Sequence, residues 1–463
     1  MKRLALLPLT ALAACTAGPN YAPPEVPVAP AWRAPVAPGQ AQSQPWWKGF
    51  ADPVLEQLQS EALTANLTIE QALARLDQAR AAAGAASAAR LPAAQVDGTA
   101  ARAQQSLNSG LGQLSRYVPD LPRTVNSGNA TLNGSWDLDF AGGLRRRQEA
   151  ARASVDEAEA GVTAARLAVS AELAQAYFRL RTAEAQRIAL GQMESLARER
   201  QRIMAARIAA GATSAAEAER TSATAEQVAA ALPETLARIE AERARIAVLV
   251  GRSPSLPPDL SGSFTAQTPD PVAGLPAAVL RARPDVAAAE ARLVAANAAI
   301  GAAMAEYWPS LSLGGLIGFQ SNRFGELFTG DSVAIQGAAS LRWRLFDFGR
   351  IDAEVARAKG RNRELLAAYR ETVLRATGDV ETAHFALAAA REALTHGEAD
   401  HDLRRRARDR DAAAHKAGAI SREALTASDS ALAEALLRLA DLRGRQAVAI
   451  VDLSRALALP TQQ

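Results

Sequence analysis

Few residues in this chain could do bond chemistry, and their spacing argues against an enzyme. Cys15 is the only cysteine in 463 residues. The four histidines, His384, His396, His401 and His415, are separated by 12, 5 and 14 positions, which does not place them on one helical face to share a metal ion. Neither a GxxxxGK(S/T) phosphate loop nor an HExxH pair occurs. Carboxylates are plentiful, yet the sequence isolates none in apolar surroundings of the kind that raises a pKa. With 52 Lys and Arg against 49 Asp and Glu, the net charge is +3. The arginines are interleaved with acids and not clustered with aromatics, so nucleic acid is not an expected partner.

The one thiol instead sits where an anchor would be attached. Lys2 and Arg3 precede a short apolar run, Leu4 to Ala14, which is the layout of a cleaved signal over residues 1–14. Leu12-Ala13-Ala14-Cys15 resembles a bacterial lipobox, which implies that Cys15 becomes the first residue of the mature chain and carries diacylglycerol and an N-acyl chain. Each buried CH₂ of such chains contributes ~0.8 kcal/mol. Thr16 and Ala17 follow, so the aspartate that retains such lipoproteins in the inner membrane is missing. No other cofactor is expected. Residues 15–50 read as lipidated Cys and Pro-rich tether, because Gly18 to Pro45 is dense in proline and alanine and favours extended, coreless chain. Trp46, Trp47 and Phe50 read as a packing anchor ahead of a helix near Pro53, with a second helix after Asn66. No later segment offers 18 or more uncharged apolar residues, so no membrane-spanning helix is expected.

Beyond this point the chain is written twice. Ala74 to Gly98 aligns without a gap to Ala291 to Gly315, with roughly half the positions identical, a repeat length far outside solenoid periods. Trp136, Leu138 and Phe140 before Gly142 answer to Trp343, Leu345 and Phe348 before Gly349. The first repeat is assigned to 51–251 and the second to 277–463, joined by a linker over 252–276. Each reads helix, strand, loop, strand, long helix, turn, long helix.

The strands are expected at about 91–107 and 125–140, then 309–322 and 332–347. Leu132, Gly134, Trp136, Leu138 and Phe140 alternate with polar residues, as do Val333, Ile335, Ala339, Leu341 and Trp343. The strand after Pro92 alternates poorly and is placed by its duplicate. Four strands are too few to close a membrane barrel, which needs eight or more. Two chains would give eight strands with a side-chain-filled interior, and three would give twelve around an aqueous lumen. A soluble β-sandwich edge is the alternative.

The remaining mass is helix. Leu144 to about Gly211 and Asp352 to about Ala417 contain no proline, and at 1.5 Å per residue each could reach roughly 100 Å. Gly211 and Gly418 are the natural hairpin turns, with returns toward Val250 and Leu459. Pro233 is expected to bend the first return. Alanine dominates the apolar positions, which suits close side-by-side packing of coiled-coil-like hairpins. Arg145-Arg146-Arg147 stands where a strand becomes a helix, a poor place for cations by the helix dipole, so these three are candidate contacts for anionic lipid headgroups. Arg404-Arg405-Arg406 reads as a solvated face.

Arg283-Pro284-Asp285-Val286 with Ala289-Glu290, then Ala295-Ala296-Asn297-Ala298, Ile300-Gly301 and Trp308-Pro309, join Trp46, Phe50, Asp52-Pro53, Ala62-Leu63 and Asn66 in a pattern that covers essentially the whole mature chain. It resembles the TolC-type outer-membrane efflux ducts, in the lipoprotein branch typified by OprM and NodT. The resemblance implies a mainly α fold with β. A homotrimer would place a twelve-stranded barrel in the outer membrane above a periplasmic α-barrel, docked on a membrane-fusion adaptor and an inner-membrane pump, RND-type by the same analogy. It implies export of small molecules such as drugs. In relatives, acidic residues shortly after the hairpin glycine line a constriction. Glu217 fits that slot after Gly211, whereas Ala424 holds it after Gly418, leaving Glu423 and Asp429 nearby. Three copies of a carboxylate would favour cations there. A duct for type I polypeptide secretion would share this architecture, and a periplasmic structural or adaptor lipoprotein would have the hairpins without the strand pairs.

Overall fold

The computed structural model describes residues 16–33, 44–108, 110–114, 117–118, 122–260, 268–272 and 274–461. Residues 1–14 of the expected signal, and Cys15, lie outside them. The first half comprises α1 (Pro53–Ala65), α2 (Leu67–Ala88), β1 (Ala93–Gln104), a short α3 (Gly110–Leu114), β2 (Thr124–Leu138), α4 (Gly143–Ala209) and α5 (Ala215–Leu249). The second comprises α6 (Pro276–Ala282), α7 (Pro284–Ala305), β3 (Ser310–Ser321), β4 (Val333–Arg342), α8 (Arg350–Lys416) and α9 (Arg422–Ala456).

The duplication extends to element length. α2 and α7 have 22 residues each, α4 and α8 have 67, and α5 and α9 have 35. α2 and α7 start 217 residues apart (Leu67, Pro284), the long helices 207 apart (Gly143, Arg350). The longer connection between β1 and β2 absorbs the difference. Contacts nevertheless divide the chain into two compact units that each draw on both repeats. One contains Met1–Pro24, Leu76–Glu157 and Ala289–Tyr369, the other Glu25–Arg75, Ala158–Ala288 and Arg370–Gln463. The repeats are units of sequence; the packed units are assembled across them.

The first unit holds one antiparallel sheet in the order β1-β2-β3-β4. β4 stops at Arg342, short of the 347 expected from alternation. In the first repeat Trp136 and Leu138 are held in strand by Leu313 and Leu311, but their duplicates Trp343 and Leu345 lie beyond the end of β3, on an edge with no second neighbour.

The second unit is helical, around Trp46, Phe50, Leu55, Leu173, Tyr177, Phe178, Ile246 and Ile450. Buried Asp52 caps α1 by accepting from the Val54 and Leu55 amides, and it takes a 2.7 Å bond from the Tyr177 hydroxyl. α5 runs unbroken through Pro233. Arg283 is the second fastening. Its guanidinium donates to the Ala376 and Ala456 carbonyls and pairs with Asp285 and Asp379 at 2.8 and 3.0 Å, so one side chain ties the start of α7 to α8 and the end of α9. Burial alone would raise the Asp285 carboxyl, but the Arg283 hydrogen bond and charge hold it below its ordinary 3.8.

One expectation is corrected here. The Pro-rich stretch is not a free tether in its described part. Tyr21 donates to Glu290 in the first unit, and in the second the Trp32 indole donates to the Gly274 carbonyl and the Arg33 amide to Glu381. By length and composition alone, α7 could also cross a membrane. It packs as a core helix instead, with Glu290 and Arg292 bonded to Tyr21 and Glu157. Arg283→Ala should cost about 2–4 kcal/mol, read as a lowered denaturation midpoint of the detergent-solubilised protein. The Asp285 contribution should be fully present at neutral pH and lost as pH falls below 3.8.

Candidate functional site

Two places in the structure can do something beyond holding the fold, and the first is the sheet. Its register sets Val96, Leu132, Ile317 and Ile335 in one row across all four strands, and Gly98, Ala130, Phe319 and Val333 in the next row on the same face. The opposite face carries Gln95, Asn133, Leu316 and Gln336 in one row, then Asp97, Thr131, Gly318 and Ala334. An apolar face is normally buried, yet those four large residues are 78, 46, 51 and 74% exposed. Exposed Trp136, Phe140, Trp308 and Trp343 cluster where the strands meet the helices, and Phe324 and Phe328 lie in the loop between β3 and β4. An apolar band between aromatic girdles is the pattern of a lipid-facing barrel wall. At ~3.4 Å per residue, 12-residue strands span about 40 Å, or roughly 28 Å at a 45° tilt, which matches a bilayer core. Four helices join the sheet at the same end, since α2 and α7 enter β1 and β3 while β2 and β4 lead into α4 and α8.

At that junction the arginine triplet divides. Arg145 and Arg147 are exposed, and Arg147 pairs with Glu306 at 3.4 Å. Arg146 is only 3% exposed and leaves the set of headgroup contacts. It donates to the Ala17 and Gly18 carbonyls, Asn20 Oδ1 and Glu149. Gly18, at φ +86°, lies so close to Gly301 that a Cβ would stand 2.4 Å from the Gly301 Cα. The residues directly after Cys15 are thus seated on α4 and α7. Single-letter patterning could not show this, because Arg146 differs from its neighbours only in what it faces.

The second place is the hairpin tip in the helical unit. Gly211 and Gly418 take φ of +68° and +75°. Behind each, the helix end closes with paired backbone bonds, Gly211 N to Ile208 O with Ala212 N to Arg207 O, and Gly418 N to His415 O with Ala419 N to Ala414 O. Ser214 and Ser421 then cap the return helices. Glu217, exposed in the first turn of α5, accepts from Thr213. Glu423 is paired with Arg207 at 2.6 Å and Asp429 with Arg408 at 2.8 Å. The structure does not join the three carboxylates, and two of them are neutralised within the chain.

The tip also holds residues that the spacing argument missed. Arg422 grips Glu199 with both ends of its fork, at 2.7 and 3.0 Å. Together with Arg207–Glu423, this ties α9 to α4 at two points. The Arg422 hydrogen bond holds the Glu199 carboxyl below its ordinary range. A duplication argument could not find these pairs, because Ala215 and Ala414 stand where Arg422 and Arg207 have their counterparts. Two carboxylates do have raised pKa values, contrary to expectation. Burial pushes up Glu242, whose Oε2 has no partner, and Asp452, which accepts from Gln175.

Comparison with known proteins agrees with both places. The family model for outer membrane efflux proteins matches residues 58–252 and 275–459. The chain is 32% identical over 390 residues to the pyoverdine export outer membrane protein OpmQ of Pseudomonas putida, covering 82% of this chain and 81% of that one. It is 31% identical to outer membrane protein OprJ of Pseudomonas aeruginosa, over 82% and 79%. The solved structure of the outer-membrane channel OprN superposes with a TM-score of 0.83 at 28% identity, covering 97% of this chain and all of that one. The chain belongs to the outer membrane efflux protein family. It is an outer-membrane channel, the exit duct of a tripartite efflux system, with its helical part in the periplasm.

If the two ion pairs hold the hairpins of the duct together, Arg422→Ala should raise single-channel open probability roughly five-fold, the equivalent of about 1 kcal/mol for an exposed pair. The wild-type pair should persist from neutral pH down to the ordinary Glu value of 4.5 and be lost below it. Unchanged gating in a planar bilayer would contradict the latch.

Proposed function

We propose that three copies of this chain close their sheets into a twelve-stranded barrel and conduct small molecules to the exterior. The observation that carries this reading is the open four-stranded sheet, with an uncovered apolar face on one side and β1 and β4 as edges without partners. Twelve strands spaced ~4.8 Å apart and tilted ~40° give a backbone diameter of about 24 Å, against about 16 Å for eight. Only the larger ring leaves a water-filled passage, lined by the Gln95, Asp97, Asn133 and Gln336 face.

In this reading Cys15 carries the lipid anchor, and the Arg146 seat holds residues 17, 18 and 20 beside the strand–helix junction. Arg145 and Arg147 remain the candidate headgroup contacts. A membrane-fusion adaptor and an RND-type inner-membrane pump deliver substrate to the periplasmic end. Contact with them shifts the hairpins and opens the Arg422–Glu199 and Arg207–Glu423 latches. Of the acidic candidates, Glu217 is best placed to act on passing ions, since Glu423 and Asp429 are already paired.

Two measurements test this. The mass of the detergent-extracted assembly should equal three chains, and a monomer that is electrically silent in a bilayer would overturn the proposal. Within a conducting assembly, Glu217→Ala should reduce cation preference roughly two-fold, and identical selectivity would remove Glu217 from the gate.

A further inference from the structure

On the trimer reading, β4 of one copy meets β1 of the next, and the chain's own duplication dictates how they meet. The two hairpins share one pairing register. β1 pairs with β2 as Ala93 with Ser135, and β3 with β4 as Ser310 with Arg342, which are the same pair moved by 217 and 207 residues. The Trp136 indole donates to the Arg90 carbonyl and the Trp343 indole to the Tyr307 carbonyl, both at 3.0 Å, again related by those shifts. Between the hairpins, β2 pairs with β3 as Ser135 with Gly314, Asn133 with Leu316 and Trp136 with Leu313. In a ring of alternating hairpins, the junction between two chains is the duplicate of that junction within one.

We infer that β4 of one copy pairs antiparallel with β1 of the next in the register that sets Arg342 opposite Asp97, Ser340 opposite Thr99 and Trp343 opposite Val96. Three further observations agree. Arg342 and Asp97 have opposite charge and lie on the same, polar face of the sheet. Asp97 Oδ2 accepts from Asn133 and Gln95, and among the described residues the exposed Arg342 guanidinium makes no ion pair. The apolar rows stay continuous, with Trp343 beside Val96 and Leu341 beside Gly98. A slip of one residue would turn every apolar side chain of the edge into the lumen, and a slip of two would set Arg342 against Gln95 or Thr99.

The helices beneath repeat the relation. Arg292 of α7 pairs with Glu157 of α4 at 2.6 Å. The same shifts carry this pair onto Arg75 of α2 and Glu364 of α8, again a cation and a carboxylate, both exposed, with Glu364 paired in this chain to Arg361 one helical turn away. Gly301, crowded by the seated N-terminal segment, maps onto Gly84, which has nothing within 4 Å of where a Cβ would stand. The seam between copies therefore brings α2 against α8 with Arg75 facing Glu364, and it extends β4 through Trp343 to Leu345 along Val96 to Ala94.

Cysteine cross-linking in the outer membrane reads the register directly, since Cys15 is the only native cysteine. Thr99→Cys combined with Ser340→Cys should give a covalent trimer on copper-phenanthroline oxidation, because opposite positions bring Cβ atoms to ~4.5–5.5 Å. Asp97→Cys or Ala101→Cys combined with Ser340→Cys, each two residues out of register, should cross-link weakly. Dominant cross-linking by a shifted pair overturns the register. No cross-linking by any pair in an assembly that still has the mass of three chains overturns the edge pairing, while a monomeric mass overturns the trimer reading and this inference with it. Asp97→Arg or Arg342→Asp alone should lower the temperature at which the trimer dissociates in detergent, and the double swap should recover most of the loss. A double swap no better than either single variant overturns the ion pair.

Discussion

Hydrocarbon cannot hydrogen-bond to a peptide group, and that single fact governs this molecule. A backbone N–H or C=O left unpaired in a bilayer costs several kcal/mol, so a sheet with two open edges has no stable place there. The four strands of this chain nevertheless present large, uncovered apolar side chains along one face. In the proposed trimer both features are resolved together, because edges of different copies meet. The apolar row then faces lipid, the polar row faces water, and the edges disappear.

The duplication turns one hairpin-and-helix module into two of closely matching element lengths. The departures from the repeat are informative. Arg146 has Ala353 as its counterpart, and it serves the seated N-terminal segment, of which the chain has only one. Arg422 and Arg207 lack charged counterparts and hold the tips of the long hairpins. Where the two modules do the same work they match, and where a function is needed once they differ. Regulation by a partner is well served by such sites, because exposed ion pairs are weak enough to be exchanged for contacts with another protein.

Much of this was legible from residue order. Three strands followed from alternation and β1 from its duplicate, the long helices from their proline-free tracts, the turns from Gly211 and Gly418, and the anchor role of Trp46, Trp47 and Phe50 from their clustering. Other features were not, for physical reasons. The end of β4 depends on a neighbour the alternation of Trp343 and Leu345 cannot reveal. The Pro-rich stretch reads as tether from composition alone, but Tyr21 and Trp32 each find a distant partner. The gate candidates Glu423 and Asp429 look available in sequence and are paired in space, since partners 216 and 21 positions away, Arg207 and Arg408, are invisible to local spacing.

The central claim is that the two faces of the sheet see different solvents, and spin labels on adjacent residues of one strand test it most directly. A label at Ile335 should collide with oxygen dissolved in lipid, and one at Gln336 with a water-soluble nickel chelate, with the same alternation at Leu132 and Asn133. Aqueous accessibility of equal strength at all four positions would contradict the account.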